Sequence, residues 1–272
     1  VNDAVLKRLI EPEDLLPRLA ERDILVVHVA APAGYAACHV PGAVLVTPAE
    51  LVAGTPPATG DLPTAERLAA LFSRIGYTPD TEIVAYDDEG GGWAGRLLWT
   101  LDVIGHPRWA YLDGGIHAWR AAGAPVETTA SARPATPVRI APSERAIVRA
   151  DEILRRLDDP ELLIWDCRSA EEFRGQRSAA ARAGHMPGAV HLDWLDLMDR
   201  ERALRLRTDL PALLAAHGID RNRDVVVHCQ THHRSGLAYL VGRLLDFPRI
   251  RAYPGSWAEW GNRTDTPVVT GT

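Results

Sequence analysis

The stretch Val225-Val226-Val227-His228-Cys229-Gln230-Thr231-His232-His233-Arg234-Ser235-Gly236 decides how the rest of the chain is read. An apolar run ends in a cysteine and a short polar loop follows. After Ser235, Leu237, Leu240, Val241, Leu244 and Leu245 recur at helical spacing. The pattern predicts a strand, a loop and a helix start. The thiolate is the nucleophilic form of cysteine, and a helix N-terminus with nearby cations lowers a thiol's pKa into the neutral range. The loop's N–H groups and the helix dipole suit an anion held over the sulfur. Arg234 adds a permanent positive charge suited to an oxyanion, and His232 and His233 add two that depend on pH. Cys229 is therefore expected to be a nucleophile acting on a small anionic substrate. Gln230, Thr231, His232, His233, Arg234 and Ser235 form the expected substrate-binding loop.

The chain repeats itself. Ile24-Leu25-Val26-Val27-His28 returns as Leu162-Leu163-Ile164-Trp165-Asp166, and Cys38-His39-Val40-Pro41-Gly42-Ala43 as Gly184-His185-Met186-Pro187-Gly188-Ala189. Ile83-Val84-Ala85-Tyr86-Asp87 returns as Val225-Val226-Val227-His228-Cys229, and Gly114 with Trp119 as Gly255 with Trp260. The order is kept and the spacing is nearly constant. It lengthens only between the first two motifs, which places an insertion in the second copy around 174–184. Gly123 to Ser143 is rich in Ala, Pro and Thr and reads as a linker. The expected organisation is a domain over 1–126, a linker over 127–145 and a second domain over 146–272. Each copy alternates short apolar strands with helical patterns such as Leu68, Leu71, Phe72 and Ile75 after Thr64, a candidate N-cap. That is the pattern of an α/β domain with a buried parallel sheet. Ligands in such sheets bind beyond the carboxyl ends of the strands, where Cys229 falls in the second copy and Asp87 in the first.

The 272 residues suit two domains of ordinary size, and 46% hydrophobic with 24% charged residues is normal for a globular protein. A net charge of -6 argues against nucleic acid or an anionic membrane as partner. No apolar run nears the roughly 18 residues of a spanning helix. No signal pattern opens the chain, and its start at Val1 leaves a removed leader open. Three cysteines without a CxxC do not make a disulfide framework, so a reducing, cytoplasmic setting is expected.

The first copy lacks the thiol equipment. Asp87-Asp88-Glu89-Gly90-Gly91-Gly92-Trp93 places three carboxylates in the matching loop, where they repel an anion. That copy is expected to be inactive. Its glycines precede no Gly-Lys-Ser/Thr, so a phosphate loop is excluded. His232 and His233 are adjacent and have no third ligand at metal spacing, so no metal and no cofactor are expected. His39 and His185 read as turn-fixing residues. Asp166, at a strand end, is expected to border the pocket and orient the active loop. Cys38 and Cys167 lack such a loop and read as structural.

Together these motifs resemble the tandem-domain rhodanese sulfurtransferases over nearly the whole chain. The resemblance is to the bacterial type whose active loop reads Cys-Gln-Thr-His-His-Arg, and it rests also on His39–Gly42, His185–Gly188 and Gly114–Trp119. It implies two tandem domains, each a mainly parallel five-stranded sheet flanked by helices, with the nucleophile in the C-terminal one. It implies that Cys229 takes sulfane sulfur from thiosulfate and releases sulfite. The resulting persulfide then passes its sulfur to cyanide, a thiol or a partner protein. By the same analogy Trp194 borders the pocket. The chain departs from better-known members by carrying Glu172 where they have an arginine, and by lacking the Cys-Arg-Lys-Gly-Val-Thr and Cys-Gly-Ser-Gly-Val-Thr loops. Two other readings stand beside this one. A thiol phosphatase or arsenate reductase needs five residues between its cysteine and arginine, and four separate Cys229 from Arg234. A sulfur carrier would hold a persulfide for one partner without turning over. The Arg174, Arg177 and Arg182 segment reads as a solvated loop or, more sharply, as a lid or acceptor-docking surface.

Overall fold

The structure is a computed structural model and describes residues 8–271. The chain forms two compact units. The first takes the chain up to Leu51 with Pro63–Pro142 and Met198–Leu206; the second takes Val52–Leu62, Ser143–Leu197 and Arg207 onward.

In the first unit β1 (Leu9–Ile10), β2 (Ile24–Val29), β3 (Val44–Val46), β4 (Glu82–Asp87) and β5 (Trp109–Leu112) form one sheet in the order β1-β5-β4-β2-β3, with every pairing parallel. All six residues of β2 and of β4 are buried. A strand covered on both faces by helices shows no polar side, which explains why these runs do not alternate. The helix Ala65–Arg74 starts where Thr64 was expected to cap it, its hydroxyl accepting the Arg67 amide at 3.3 Å, and buries Leu68, Leu71 and Phe72.

The second stretch of chain supplies β6 (Leu162–Asp166), β7 (Val190–His191), the pair β8 (Met198–Asp199) and β9 (Arg205–Leu206), then β10 (Asp224–His228) and β11 (Ile250–Ala252). β8 and β9 form a short antiparallel ribbon that belongs to the first unit. The other four make the second unit's parallel sheet, β11-β10-β6-β7. Five strands were expected here and the sheet has four. The outer position beside β11 is held by a single bridge, Ile147 to Ala252, with the Val148 amide donating to the Ala252 carbonyl at 2.8 Å. One paired residue is too short a run to count as a strand.

Both His-Pro-Gly turns are built alike. His39 stacks on Tyr35 at 3.9 Å between centroids, with Nδ1 2.8 Å from the Tyr35 carbonyl. His185 stacks on Phe173 at 3.6 Å, with Nδ1 2.7 Å from the Phe173 carbonyl. Each histidine also bridges to a later segment, His39 to Glu127 and His185 to Val269. The Ala- and Pro-rich stretch after Glu127 has no helix or strand before Glu144–Ala146, yet it is tied to the first unit. The Ser131 amide donates to the Tyr35 hydroxyl, and Arg133 reaches the Ile24 carbonyl. The inserted 174–184 stretch is likewise anchored. Arg182 donates to Thr266 and to the Trp260 carbonyl, and the Ala181 amide to Asn262.

The end of β6 is fixed by a buried ion pair. Asp166 and Arg168 are both inaccessible, with Nη2 2.5 Å from Oδ2 and Nε bonded to both carboxylate oxygens. The guanidinium lies 4.3 Å above the Trp257 ring and also donates to the Gly184 carbonyl. Burial pushes the Asp166 carboxyl up, but His228 and Arg168 outweigh it and hold it at about 2. Removing one partner of a buried pair strands the other charge. Arg168→Ala is therefore expected to lower the unfolding free energy by about 3–5 kcal/mol. Urea unfolding followed by tryptophan fluorescence reads this, and a change below about 0.5 kcal/mol, the scale of a surface substitution, contradicts it.

Candidate active site

Parallel pairing puts the ends of β6 and β10 side by side, with Asp166 opposite His228. Cys229 follows at once, fully buried, and the loop runs to the helix Arg234–Leu244. The sulfur meets that helix's first turn. The Ser235 amide and hydroxyl both hydrogen-bond to Cys229. The same hydroxyl lies 2.8 Å from His232 Nδ1. A hydroxyl has one proton, so when Ser235 donates to the sulfur it accepts from His232 Nδ1–H. This direction of donation places the His232 proton on Nδ1.

The loop backbone is held by the turn after β11. Ser256 Oγ accepts the amides of Cys229 at 3.3 Å and His232 at 3.1 Å, and donates to the Tyr253 carbonyl at 2.9 Å. The Trp257 and Ala258 amides donate to the carbonyls of Cys229 and Gln230, each at 3.0 Å. His232 reaches Ser256 by adopting φ 53° and Ser256 itself has φ 52°. Left-handed backbone at a residue other than glycine costs about 1–3 kcal/mol and persists only where its surroundings impose it. Gly60 presses on the loop from another side: a Cβ there would lie 2.2 Å from the Thr231 carbonyl oxygen. Neither Ser256 nor Gly60 was singled out in the sequence. The Gly255–Trp260 motif pointed to the right turn, but nothing local marked its second residue as the loop's anchor.

Arg234 opens the helix and its guanidinium makes a two-point pair with Glu172, at 2.6 and 2.9 Å. Glu172 is nearly buried at 6% exposure and is also the third residue of a capping box with Ser169. Burial pushes its carboxyl up, but the hydrogen bonds and charge of Arg234 hold it at about 2. The loop cation thus faces a carboxylate of its own domain. For Cys229, burial pushes the thiol up. The charge of Arg234, the two bonds from Ser235 and His233 outweigh this and hold it below its ordinary value. His233 packs against Trp194, ring centroids 5.7 Å apart, so the tryptophan borders the loop. Asp166 was expected to hydrogen-bond the active loop; its bonds run instead to Arg168, and His228 Nε2 lies 3.5 Å away. Gln230 and Thr231 supply backbone to the loop, and Gln230 Oε1 is buried. Among the described residues no three His, Cys, Asp or Glu side chains are grouped to hold a metal ion.

The first unit shows the same backbone with a different occupant. Asp87 stands where the second unit has Cys229, and its carboxylate takes the loop amides for itself. Oδ1 accepts from Glu89, Gly90 and Gly91 at 2.8 to 3.2 Å and Oδ2 from Ala94 at 2.9 Å. Burial and Glu89 push that carboxyl up to about 6 against the pull of the amides. Gly115 takes the place of Ser256, and a Cβ there would lie 2.3 Å from the Asp87 carbonyl oxygen. The cradle is filled by the chain's own carboxylate, and no thiol stands at this strand end.

Comparison with known proteins agrees with this two-unit plan. The rhodanese-like domain family matches residues 11–122 and again 149–263. A thiosulfate sulfurtransferase of Azotobacter vinelandii is 46% identical over 265 residues, covering 97% of this chain and 98% of that protein. The sulfur carrier protein TtuD of Thermus thermophilus is 30% identical over 229 residues, covering 79% of this chain and 80% of its own. Among solved structures, an anaerobic ergothioneine biosynthesis enzyme from Chlorobium limicola superposes with a TM-score of 0.83. The match spans 98% of this chain and 71% of that one at 24% identity, a likeness of fold.

The arrangement around Cys229 predicts its reactivity. Alkylation by iodoacetamide is expected to rise with pH through a midpoint below that of a free thiol, because the anionic form is stabilised. Arg234→Ala and Ser235→Ala each remove a stabilising group and should raise that midpoint by about one unit. Midpoints equal to the wild type would show that neither group acts on the sulfur.

Proposed function

The chain belongs to the rhodanese-like family, and from that premise we propose that it is a thiosulfate sulfurtransferase in which Cys229 carries the transferred sulfur as a persulfide. The observation that carries this reading is the thiol at the end of β10, held below its ordinary pKa by a helix start whose Ser235 amide and hydroxyl meet the sulfur. The Cys229 thiolate attacks the sulfane sulfur of thiosulfate. The S–S bond of the donor breaks, and its electron pair leaves with sulfite. The new terminal sulfur carries the negative charge that the thiolate had before, beside the same helix start. Cyanide or another thiophile then attacks that terminal sulfur, forms thiocyanate or its equivalent, and returns the Cys229 thiolate. No cofactor enters this cycle.

Gln230, Thr231, His232, His233, Arg234 and Ser235 form the substrate loop in this reading, with Trp194 at its border and Asp166 beneath it through Arg168 and His228. Glu172 tunes the donor step. A dianionic donor must share Arg234 with a carboxylate that already makes two bonds to it. The site therefore offers thiosulfate less net positive charge than an unpaired arginine would. The free thiols suit a reducing, cytoplasmic setting, and the acceptor is cyanide, a thiol or a protein partner. No helix among the described residues is long and apolar enough to cross a membrane. A second reading, a carrier that loads once and delivers to one protein, is favoured by the likeness to TtuD. Repeated turnover with small donor and acceptor separates the two.

Steady-state thiocyanate formation tests the proposal. The wild type is expected to turn over many times. Cys229→Ala should form none while its unfolding midpoint stays close to that of the wild type. Residual turnover in that variant would mean another nucleophile. Glu172→Gln is expected to lower the KM for thiosulfate by roughly tenfold, the worth of about 1.4 kcal/mol. An unchanged KM would show that Arg234 does not meet the donor.

A further inference from the structure

Cys167 occupies the position after β6 that Cys229 occupies after β10. Asp166 and His228 are register partners, and the ladder continues one step further, the Cys167 amide donating to the His228 carbonyl at 2.9 Å. Side chains alternate along a strand, and Trp165 is paired with Val227. Cys167 and Cys229, two residues beyond that pair, therefore share one face. Neighbouring strands lie about 4.8 Å apart, inside the roughly 4.4–6.8 Å Cα separation of a disulfide. Both thiols are free and fully buried. Burial pushes the Cys167 thiol well above its ordinary value, and the charge on Cys229 adds to the effect. Cys167 is thus a protonated thiol whose S–H faces the Trp165 carbonyl at 3.7 Å, near enough to Cys229 to feel its charge.

We propose that Cys167 is a resolving cysteine: when no acceptor claims the sulfur on Cys229, the Cys167 sulfur attacks Cys229 Sγ, forms a Cys167–Cys229 disulfide and expels sulfide. The step balances without an outside oxidant. The bond between Cys229 Sγ and its terminal sulfur breaks, and its electron pair leaves on that terminal sulfur. One S–S bond forms between the two cysteines, and the Cys167 proton departs with the product as hydrosulfide. The two cysteine sulfurs are oxidised to the disulfide level and the sulfane sulfur is reduced to sulfide. A thiol reductant returns both cysteines. The enzyme would then release sulfide from thiosulfate when thiophiles are scarce, and park its nucleophile in a form that cannot load again until reduced. Two features of the site favour the exchange. The partner lies in register, and the terminal sulfur takes up the Cys167 proton as it leaves.

The inference rests on the persulfide reading, and one experiment separates the two. Wild type, Cys167→Ser and Cys167→Ala are incubated with thiosulfate, desalted, and held without acceptor. Released sulfide is trapped with monobromobimane, and non-reducing peptide maps locate any disulfide. All three proteins are expected to gain one sulfur atom. The wild type should then release about one sulfide per chain and yield a joined Cys167–Cys229 peptide, while both variants keep the added sulfur. The use of two small replacements guards against one of them failing to fold. A wild-type persulfide that lasts as long as in the variants, with no joined peptide, overturns the proposal. Absence of sulfur uptake in all three proteins overturns the persulfide reading and this inference with it.

Discussion

The Ser256 hydroxyl is the joint on which the site depends. Beyond the last residue of β10 the sheet no longer supplies partners for the Cys229 and His232 amides, and a buried amide without a partner is costly. One side-chain oxygen accepts both, and is itself aimed by the Tyr253 carbonyl. With those amides held, the loop turns tightly enough for Ser235 to bring its own amide and hydroxyl to the sulfur. The strained φ of His232 is imposed by this arrangement.

The two units make the logic visible by contrast. They share a parallel sheet, a stacked histidine turn and a loop from strand end to helix. In the first, a carboxylate fills the cradle and satisfies four amides, so the loop is complete without any ligand. In the second, the same position carries a thiol, and Arg234 balances Glu172 across the loop. An anion is accommodated in both, built in permanently in one and made on demand in the other. The two loops differ in the side chain at the strand end, Asp87 or Cys229, and in the residue that faces it, Gly115 or Ser256.

Much of this was legible in the chain because it is local. Cys229, its loop and the helix behind it are contiguous, and the repeat located the domains' matching parts. The His-Pro-Gly turns could be read as structural because a histidine held by a nearby carbonyl needs only short-range geometry. What was not legible depends on partners far apart in sequence. Glu172 was noticed as a departure, but its pairing with Arg234 needs the helix after β6 to meet the helix after β10. Asp166 was expected to reach the loop and instead bonds Arg168, which no spacing rule ranks above the loop. The pressure of Gly60 on Thr231 and the placement of Cys167 beside Cys229 follow from tertiary approach and strand register. The fifth strand of the second sheet shrank to one bridge at Ile147, a difference set by how few residues pair there.

The account stands on Cys229 holding the transferred sulfur, and intact-protein mass measures that directly. The protein is weighed before thiosulfate, immediately after it, and again after cyanide, with Cys229→Ala carried alongside. A gain of one sulfur atom on thiosulfate, lost to cyanide and absent from the variant, is the predicted result. A wild-type mass that does not change, or an equal gain in Cys229→Ala, contradicts the account.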